Sequence, residues 1–230
     1  SPIGTQLPHA VGVAWGMKLR KTGAVCAAYM GDGATSENDF HTSLDMAKRF
    51  QLPVVFVCQN NQWAISVPVS GQTRAANIAA RAKAFALRSR RVDGNDVLAC
   101  YVAMRDAVAS ARSGEGPTFL EMLTYRMGAH STSDDPSRYR DESVTEAWKD
   151  KDPLTRFRLY MGHEGVLSAE AAEELEATLA AEIRATLAEV EAADPMPPLE
   201  SLFDDVFAER TWFLREQAED AAKYPLPAGH

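Results

Sequence analysis

The sequence predicts an α/β protein with a mostly parallel sheet flanked by helices and a helical C-terminal extension. Three observations carry this. Apolar runs of strand length recur at 24–30, 53–58 and 118–125, stretches of helical periodicity separate them, and glycine, proline or asparagine punctuates the junctions. Strands that alternate with helices in this way form βαβ units, whose strands run parallel.

The elements follow in order. Residues 5–21 read as a helix, with Pro8 tolerated in the first turn and Gly12, Ala14 and Gly16 offering small surfaces for close packing. Gly23 closes it, and AVCAAYM (24–30) is a buried strand. Gly31, Asp32 and Gly33 make a tight turn where a ligand can approach the backbone. Ser36 is the expected N-cap of a helix reaching Phe50. Pro53 opens the second strand, PVVFVC, rich in β-branched residues. A helix over 77–85, a short strand over 90–93 and a helix over 96–112 come next, the last with Val97, Tyr101, Met104 and Val108 along one stripe. Pro117 precedes a third good strand, 118–125.

Beyond Tyr125 the character changes. RMGAHSTSDDPSRYRD (126–141) reads as a long polar surface loop, of a length that inside compact domains is functional or disordered. Helices are expected over 153–161 and 168–192, the second with Leu175, Leu179, Ile183 and Leu187 four apart. A proline-rich joint at 194–198 leads to a last helix around 206–223. The expected division is a core over 1–150 that includes the 126–141 loop, and an extension over 151–230 that packs on the core or on partner subunits.

Composition excludes several classes. A formal charge of −8, with no basic stripe to offset it, argues against nucleic acid, and the pair Arg90-Arg91 is too short to change that. No run of eighteen apolar residues is present to span a membrane. No secretory signal is visible, although a start at Ser1 leaves room for an upstream segment. Cys26, Cys58 and Cys100 show no paired spacing and read as reduced core residues, which suits a cytoplasmic or mitochondrial-matrix protein.

The stretch GDGATSENDFHTSLDMAKRFQLPVVFVCQNN, ending at Asn61, holds the main chemical signal. Asp32 follows one apolar strand and Asn61 follows the next. In a parallel βαβ unit both strands end on the same edge of the sheet, where open α/β sheets bind ligands, so the two residues should meet there. A carboxylate and an amide oxygen are hard ligands, suited to Mg²⁺ or Ca²⁺. Mg²⁺ commonly completes its shell with water and phosphate oxygens, and the backbone N–H groups of Gly33, Ala34 and the following helix start can receive phosphate. A metal-bridged diphosphate is the predicted ligand. His130, in the polar loop, is the second candidate, since an imidazole suits proton transfer near neutrality. His9 and His41 fall on expected helices and read as packing or surface residues, while His163 and His230 have no chemical context.

GDG, this spacer and NN resemble the signature of thiamine diphosphate enzymes. With SPIGTQLPHAVGVAWGMK, QNNQWAIS, RVDGNDVLA, YRMGAHSTSDDPSRYR and KDPLTRFR, nearly the whole chain resembles the α subunit of the thiamine-dependent decarboxylating component of 2-oxo acid dehydrogenase complexes. The uninterrupted HSTSDDPSRYR is more similar to branched-chain members than to pyruvate members.

The resemblance implies the following. Asp32, Asn61 and the Trp63 carbonyl would hold Mg²⁺. Gly31, Gly33, Ala34 and the helix starting near Glu37 would surround the diphosphate of thiamine diphosphate. Ser1 would lie beside the cofactor, Ile3 would lie near the thiazolium, and Gln59 and Ile65 would be further cofactor contacts. Gln59 stands where animal branched-chain enzymes have an arginine, and Gln brings no compensating charge. His130 would face the cofactor and assist proton transfer during acyl handover. Pro2, Thr5 and Gln6 match positions that bind K⁺, and Ser131 matches a phosphorylated serine of animal enzymes. The family also has an N-terminal portion with further diphosphate-binding residues that this sequence does not contain. The implied activity is oxidative decarboxylation of a branched-chain 2-oxo acid in an α₂β₂ enzyme. Its β subunit supplies a glutamate against the cofactor, and the acyl group passes to a lipoyl-bearing acyltransferase. Pyruvate or acetoin is the alternative substrate, and a non-catalytic assembly subunit is the alternative of another class.

Overall fold

The structure, a computed structural model, describes residues 2–193, 198–204 and 206–224. Ser1, His230 and most of the proline-rich joint expected at 194–198 lie outside the described residues. The chain separates into two compact units, Ser1–Val166 and Leu167–His230.

The first unit is built on a four-stranded sheet in the order β1 (Cys26–Gly31), β2 (Val54–Asn60), β6 (Thr118–Leu123), β5 (Arg88–Asp93), with every neighbouring pair parallel. β2 is apolar on both faces, as an interior parallel strand must be. Val54, Phe56 and Cys58 join one buried cluster, while Val55 and Val57 join the other. The first cluster lies under α1 (Gln6–Leu19), α2 (Asn38–Arg49) and α4 (Ile78–Lys83), and the second under α5 (Val97–Arg112). A hairpin of β3 (Trp63–Ala64) and β4 (Val67–Pro68) and one helical turn, α3 (Val69–Gln72), follow β2. None of the three was foreseen from the sequence.

Three expectations are corrected in this unit. Ser36 is not an N-cap: Gly33–Ser36 form a 3₁₀ turn, and the cap position falls on the extended Glu37, so α2 starts at Asn38. Gly12 and Gly16 do not serve close packing among the described residues of this chain, since a Cβ on either would meet nothing within 4 Å. The buried face of α1 is Leu7, Ala10, Val11 and Ala14. The stripe read on α5 is only half right, because Met104 and Val108 pack against the core but Val97 and Tyr101 are exposed, and the buried face is Ala103, Ala107 and Ala111. Alanines bring the helix axis close to the sheet, which larger side chains would prevent. Asp96 caps α5 by accepting from the N–H groups of Leu98 and Ala99, each at 3.0 Å.

A helix absent from the sequence reading, α6 (Glu142–Lys149), is held by Tyr125, which stacks on Trp148 at 5.4 Å and bonds Thr145 at 3.2 Å. α7 (Pro153–His163) lies in the first unit rather than in the extension expected from residue 151. Arg156 pairs with Asp93 at 2.9 Å, and Asn95 donates to the Lys151 carbonyl at 2.8 Å, fastening α7 to the turn after β5. The second unit holds α8 (Ala169–Ala192), capped by Ser168, a 3₁₀ turn (Leu199–Phe203) and α9 (Trp212–Ala221), a shorter helix than expected. There Arg210 pairs with Asp204 and covers the Phe203 ring. Cys58 is buried, Cys26 and Cys100 are half-buried, and all three are free thiols. Among the described residues no helix is long and apolar enough to cross a membrane.

Phe56 is fully buried at the centre of the sheet. Phe56→Ala should destabilise the protein by ~3–5 kcal/mol through lost burial and the cavity left behind. Leu154→Ala, at a position that is 81% exposed, should cost less than ~0.5 kcal/mol. Chemical denaturation midpoints measure both.

Candidate functional site

The register of the sheet builds the site. Gly31 pairs with Gln59, so β1 and β2 deliver Asp32 and Asn60-Asn61 to the same carboxyl edge. The Asp32 carbonyl starts the 3₁₀ turn, accepting from Thr35 N–H at 3.0 Å and Thr35 Oγ1 at 2.7 Å. A Cβ added to Gly33 would meet the Ala64 Cβ at 3.0 Å, so glycine is what lets the β3–β4 hairpin close over this turn.

The Asp32 side chain is only 1% exposed. Its Oδ2 accepts from Gln72 Nε2 at 2.8 Å. Burial pushes its pKa up, opposed by the Gln72 bond, the backbone amides of Asp32 and Asn61, and the charge of Arg126. No Lys or Arg forms an ion pair with it among the described residues. The Asn61 backbone N–H is thus among the groups acting on Asp32.

The turn after β2 consists of two successive Asx turns. Asn60 Oδ1 accepts from Gln62 N–H and Asn61 Oδ1 from Trp63 N–H, both at 3.0 Å. Gln62 (φ 73°) and Ile65 (φ 54°) both adopt the left-handed conformation. For a β-branched residue that is a genuine outlier, of the kind that collects at ligand sites. Arg126 holds the strained segment, donating to the carbonyl of Ile65 at 2.7 Å and, more weakly, to that of Trp63 at 3.4 Å.

Arg126 also roots the polar loop. It donates to the Tyr139 hydroxyl at 2.8 Å, which donates to Asp134 Oδ2 at 2.6 Å, and the same oxygen accepts from His130 N–H at 2.8 Å. The Tyr139 bond, and then the His130 N–H, hold the Asp134 carboxyl below its ordinary pKa. Tyr139 lies 5.4 Å from the Trp63 ring, and Arg140 ties the carbonyls of Arg126 and Met127 at 2.6 Å each. The loop is therefore an ordered strap against the hairpin, with Asp135 capping a 3₁₀ turn (Pro136–Arg138). The His130 imidazole makes no hydrogen bond to a described residue. Ser131 is exposed, its hydroxyl 3.2 Å from that of Ser133.

The other sequence candidates are more dispersed. Gln59, Glu37 and Ile3 are exposed, as are Pro2, Thr5 and Gln6 at the start of α1. Gln6 Nε2 donates to the Tyr29 carbonyl at 2.9 Å. Ser1 lies outside the described residues. His41 packs edge-on against Phe40 at 5.2 Å, in keeping with the packing role read for it. The sequence reading missed Gln72, Arg126 and Tyr139. Of these only Arg126 and Tyr139 carried a signal, as the basic and aromatic ends of an otherwise small, polar run.

The donor set discriminates between cations. No group of three His, Cys, Asp or Glu suited to a metal occurs among the described residues. A cation at this edge would have one buried carboxylate, one amide oxygen and one carbonyl. That all-oxygen set of low charge fits a hard ion whose remaining positions are filled by water or phosphate. A buried carboxylate without a cationic partner is what such an ion would satisfy.

Comparison with known proteins bears on this edge. Residues 1–199 match the family model described as "Dehydrogenase E1 component". The chain is 45% identical over 218 residues to the 3-methyl-2-oxobutanoate dehydrogenase subunit alpha of Mycobacterium tuberculosis, a match that covers 95% of this chain and 59% of that one. It is 44% identical over 223 residues to a pyruvate dehydrogenase E1 component subunit alpha of Acholeplasma laidlawii, covering 96% and 65%. It is 43% identical over 216 residues to the mitochondrial 2-oxoisovalerate dehydrogenase subunit alpha 2 of Arabidopsis thaliana, covering 94% and 46%. The chain thus spans between 46% and 65% of the length of these relatives.

Because the folded-state pKa of Asp32 is raised, its neutral form favours folding, and that contribution is lost as pH rises through the raised value. Asp32→Asn, permanently neutral, should melt at a higher temperature than the parent in chelator at pH 7. The gap should narrow as pH falls toward the ordinary carboxylate range of about 4. Equal melting temperatures across pH 5–8 would show that the carboxylate carries no such strain.

Proposed function

The chain belongs to the dehydrogenase E1 component family, and from that premise we propose that it is the α-type subunit of a thiamine diphosphate-dependent 2-oxo acid dehydrogenase. The observation that carries the proposal is that β1 and β2 end level, so that Asp32 and Asn61 follow them at one sheet edge, beside a glycine turn closed by Ala64. Asp32, Asn61 and Trp63 would hold Mg²⁺, and Gly31, Gly33 and Ala34 would accept the diphosphate. When bound, thiamine diphosphate supplies the carbanion and electron sink that decarboxylation of a 2-oxo acid requires.

The chain's own residues would bind, orient and move protons. Burial of Asp32 strengthens its attraction for a cation by removing competing water. The strap through Arg126, Asp134 and Tyr139 holds the backbone at His130, so that the imidazole is presented from an ordered segment. That imidazole would exchange a proton during acyl handover. Gln59 contributes no charge, so the metal and other cations must balance the diphosphate. A K⁺ ion at Pro2, Thr5 and Gln6, and phosphorylation at Ser131, belong to the same reading. A phosphate at Ser131 would sit three residues from Asp134 and repel the carboxylate on which the strap closes.

The site is completed by a β-type partner in an α₂β₂ assembly, and the acyl acceptor is a lipoyl-bearing acyltransferase. Branched-chain 2-oxo acids are the preferred substrates in this reading, supported by relatives named for 3-methyl-2-oxobutanoate and 2-oxoisovalerate. Pyruvate is the second reading, favoured by a pyruvate dehydrogenase relative of nearly equal identity.

The test is decarboxylation of 2-oxoisovalerate against pyruvate by the full-length protein assembled with its partner subunit, using an artificial electron acceptor. Faster turnover of 2-oxoisovalerate supports the branched-chain reading, and faster turnover of pyruvate replaces it. Failure to bind thiamine diphosphate would leave a non-catalytic assembly subunit. In the same assembly Asp32→Ala should abolish Mg²⁺-dependent cofactor binding. His130→Ala should lower lipoyl acylation by ~10²-fold or more, the usual scale of a lost acid–base group, with cofactor affinity little changed.

A further inference from the structure

Among the described residues Glu121 is the one carboxylate with no exposure at all, and the proposed chemistry leaves it unused. It lies mid-strand on β6, paired across the sheet with Cys58 and Arg91. Its Oε1 accepts from Asn60 Nδ2 at 2.7 Å and lies 3.6 Å from Arg91 Nε, and its Oε2 accepts from the Ala79 N–H at 2.8 Å. A buried carboxylate is costly, and this one is kept with both oxygens engaged by donors.

Asn60 is the link to the site. It is 3% exposed, and its two amide ends face different elements. The Nδ2 end meets Glu121, while the Oδ1 end accepts from Gln62 N–H at 3.0 Å. A carboxylate accepts only, so Glu121 decides which end of the Asn60 amide faces β6, and hence leaves the oxygen for Gln62. Gln62 has φ 73° and needs that support to remain in the left-handed region. Its own side chain donates to the Thr124 carbonyl at 2.9 Å, and Thr124 N–H returns to the Asn60 carbonyl at 2.9 Å. The turn so fixed carries Asn61 and Trp63, with Asn61 Oδ1 accepting from the Trp63 N–H at 3.0 Å.

We propose that Glu121 is a positioning residue for the cation-binding edge, acting through Asn60 to hold the 60–63 turn in the conformation that aims Asn61 and Trp63 at the metal. The inference rests on the proposed function, in which Asp32, Asn61 and Trp63 are the cation's ligands. Glutamine is not a neutral replacement here. Its amide can accept from only one of the two donors, and its NH₂ group must then face the other N–H.

The probe is Mn²⁺ with thiamine diphosphate, its binding followed by electron paramagnetic resonance on the full-length protein assembled with its partner subunit. Glu121→Gln should weaken Mn²⁺ binding about tenfold or more, and raised Mn²⁺ should restore full occupancy. Asn60→Ala, which keeps all three ligands, should show a similar loss. The double variant should be no weaker than the worse single one, because both act along one path. Asn60→Ala also serves if Glu121→Gln fails to fold. Tight Mn²⁺ binding in Glu121→Gln or in Asn60→Ala, with the parent's affinity, would overturn the inference, as would additive losses in the double variant. Absence of Mn²⁺ binding by the parent, or an undiminished signal in Asp32→Ala, would instead overturn the ligand assignment on which the inference rests.

Discussion

The parallel pairing of β1 with β2 sets what the carboxyl edge of the sheet can do. Both strands must end level for Asp32 and Asn61 to share a site, and a slip of one residue would displace them by about 3.3 Å. Apolar patterning alone does not prevent such a slip, because β2 is buried on both faces and a shift merely exchanges one apolar set for the other. Side-chain size and the polar ends supply the missing constraint. Phe56 lies in the cluster with Phe40 and Phe119, while the opposite cluster holds valines, alanines, Leu120 and Met122 but no aromatic ring, so the faces are not interchangeable. At the start of the pair Cys26 N–H bonds the Pro53 carbonyl at 2.9 Å, and at the end Asn60 bonds Glu121.

From that fixed edge the chain turns through a conformation it would not adopt unaided. Two left-handed non-glycine residues within four positions carry a cost of order 1–3 kcal/mol each, and the surroundings over-determine them. Asx turns secure the first half, and Arg126 secures the second by binding the Ile65 carbonyl. Because Arg126 also holds Tyr139, the hairpin and the polar strap depend on one guanidinium.

The sequence made the architecture legible wherever periodicity and termination agreed. The three apolar runs, the glycine turn at Asp32 and the helices expected from residues 77 and 96 all correspond to elements of the sheet and its helices. Legibility failed where local pattern was overridden by packing or strain. The alanine face of α5 is silent on a hydrophobic scale that weights large side chains, so the larger but exposed Val97 and Tyr101 drew the reading. The β3–β4 hairpin left no trace because its strands are two residues long and its turns use Gln62 and Ile65 rather than glycine. The 126–141 loop read as polar surface, but the pairing of Arg126 with Asp134 through Tyr139 is a tertiary fact that spacing does not encode. Glu121 did leave a trace. A single carboxylate inside TFLEMLTY breaks an otherwise apolar strand, and such a break in a buried strand requires a partner.

The two buried carboxylates at this edge are put to opposite uses. They lie close enough that, after burial itself, Asp32 and then Glu121 help push the Cys58 thiol well above its ordinary pKa. Glu121 has each oxygen taken by a donor from a different element, and the group serves as a joint between β2, β6 and α4. Asp32 has a single side-chain donor, Gln72, and its raised pKa records that the anion is under-compensated. Leaving one buried anion satisfied and its neighbour short of positive charge concentrates the unmet potential on one side of the edge, where a cation can supply it. The stability forfeited at Asp32 in the absence of such a cation is the same differential that binding would return.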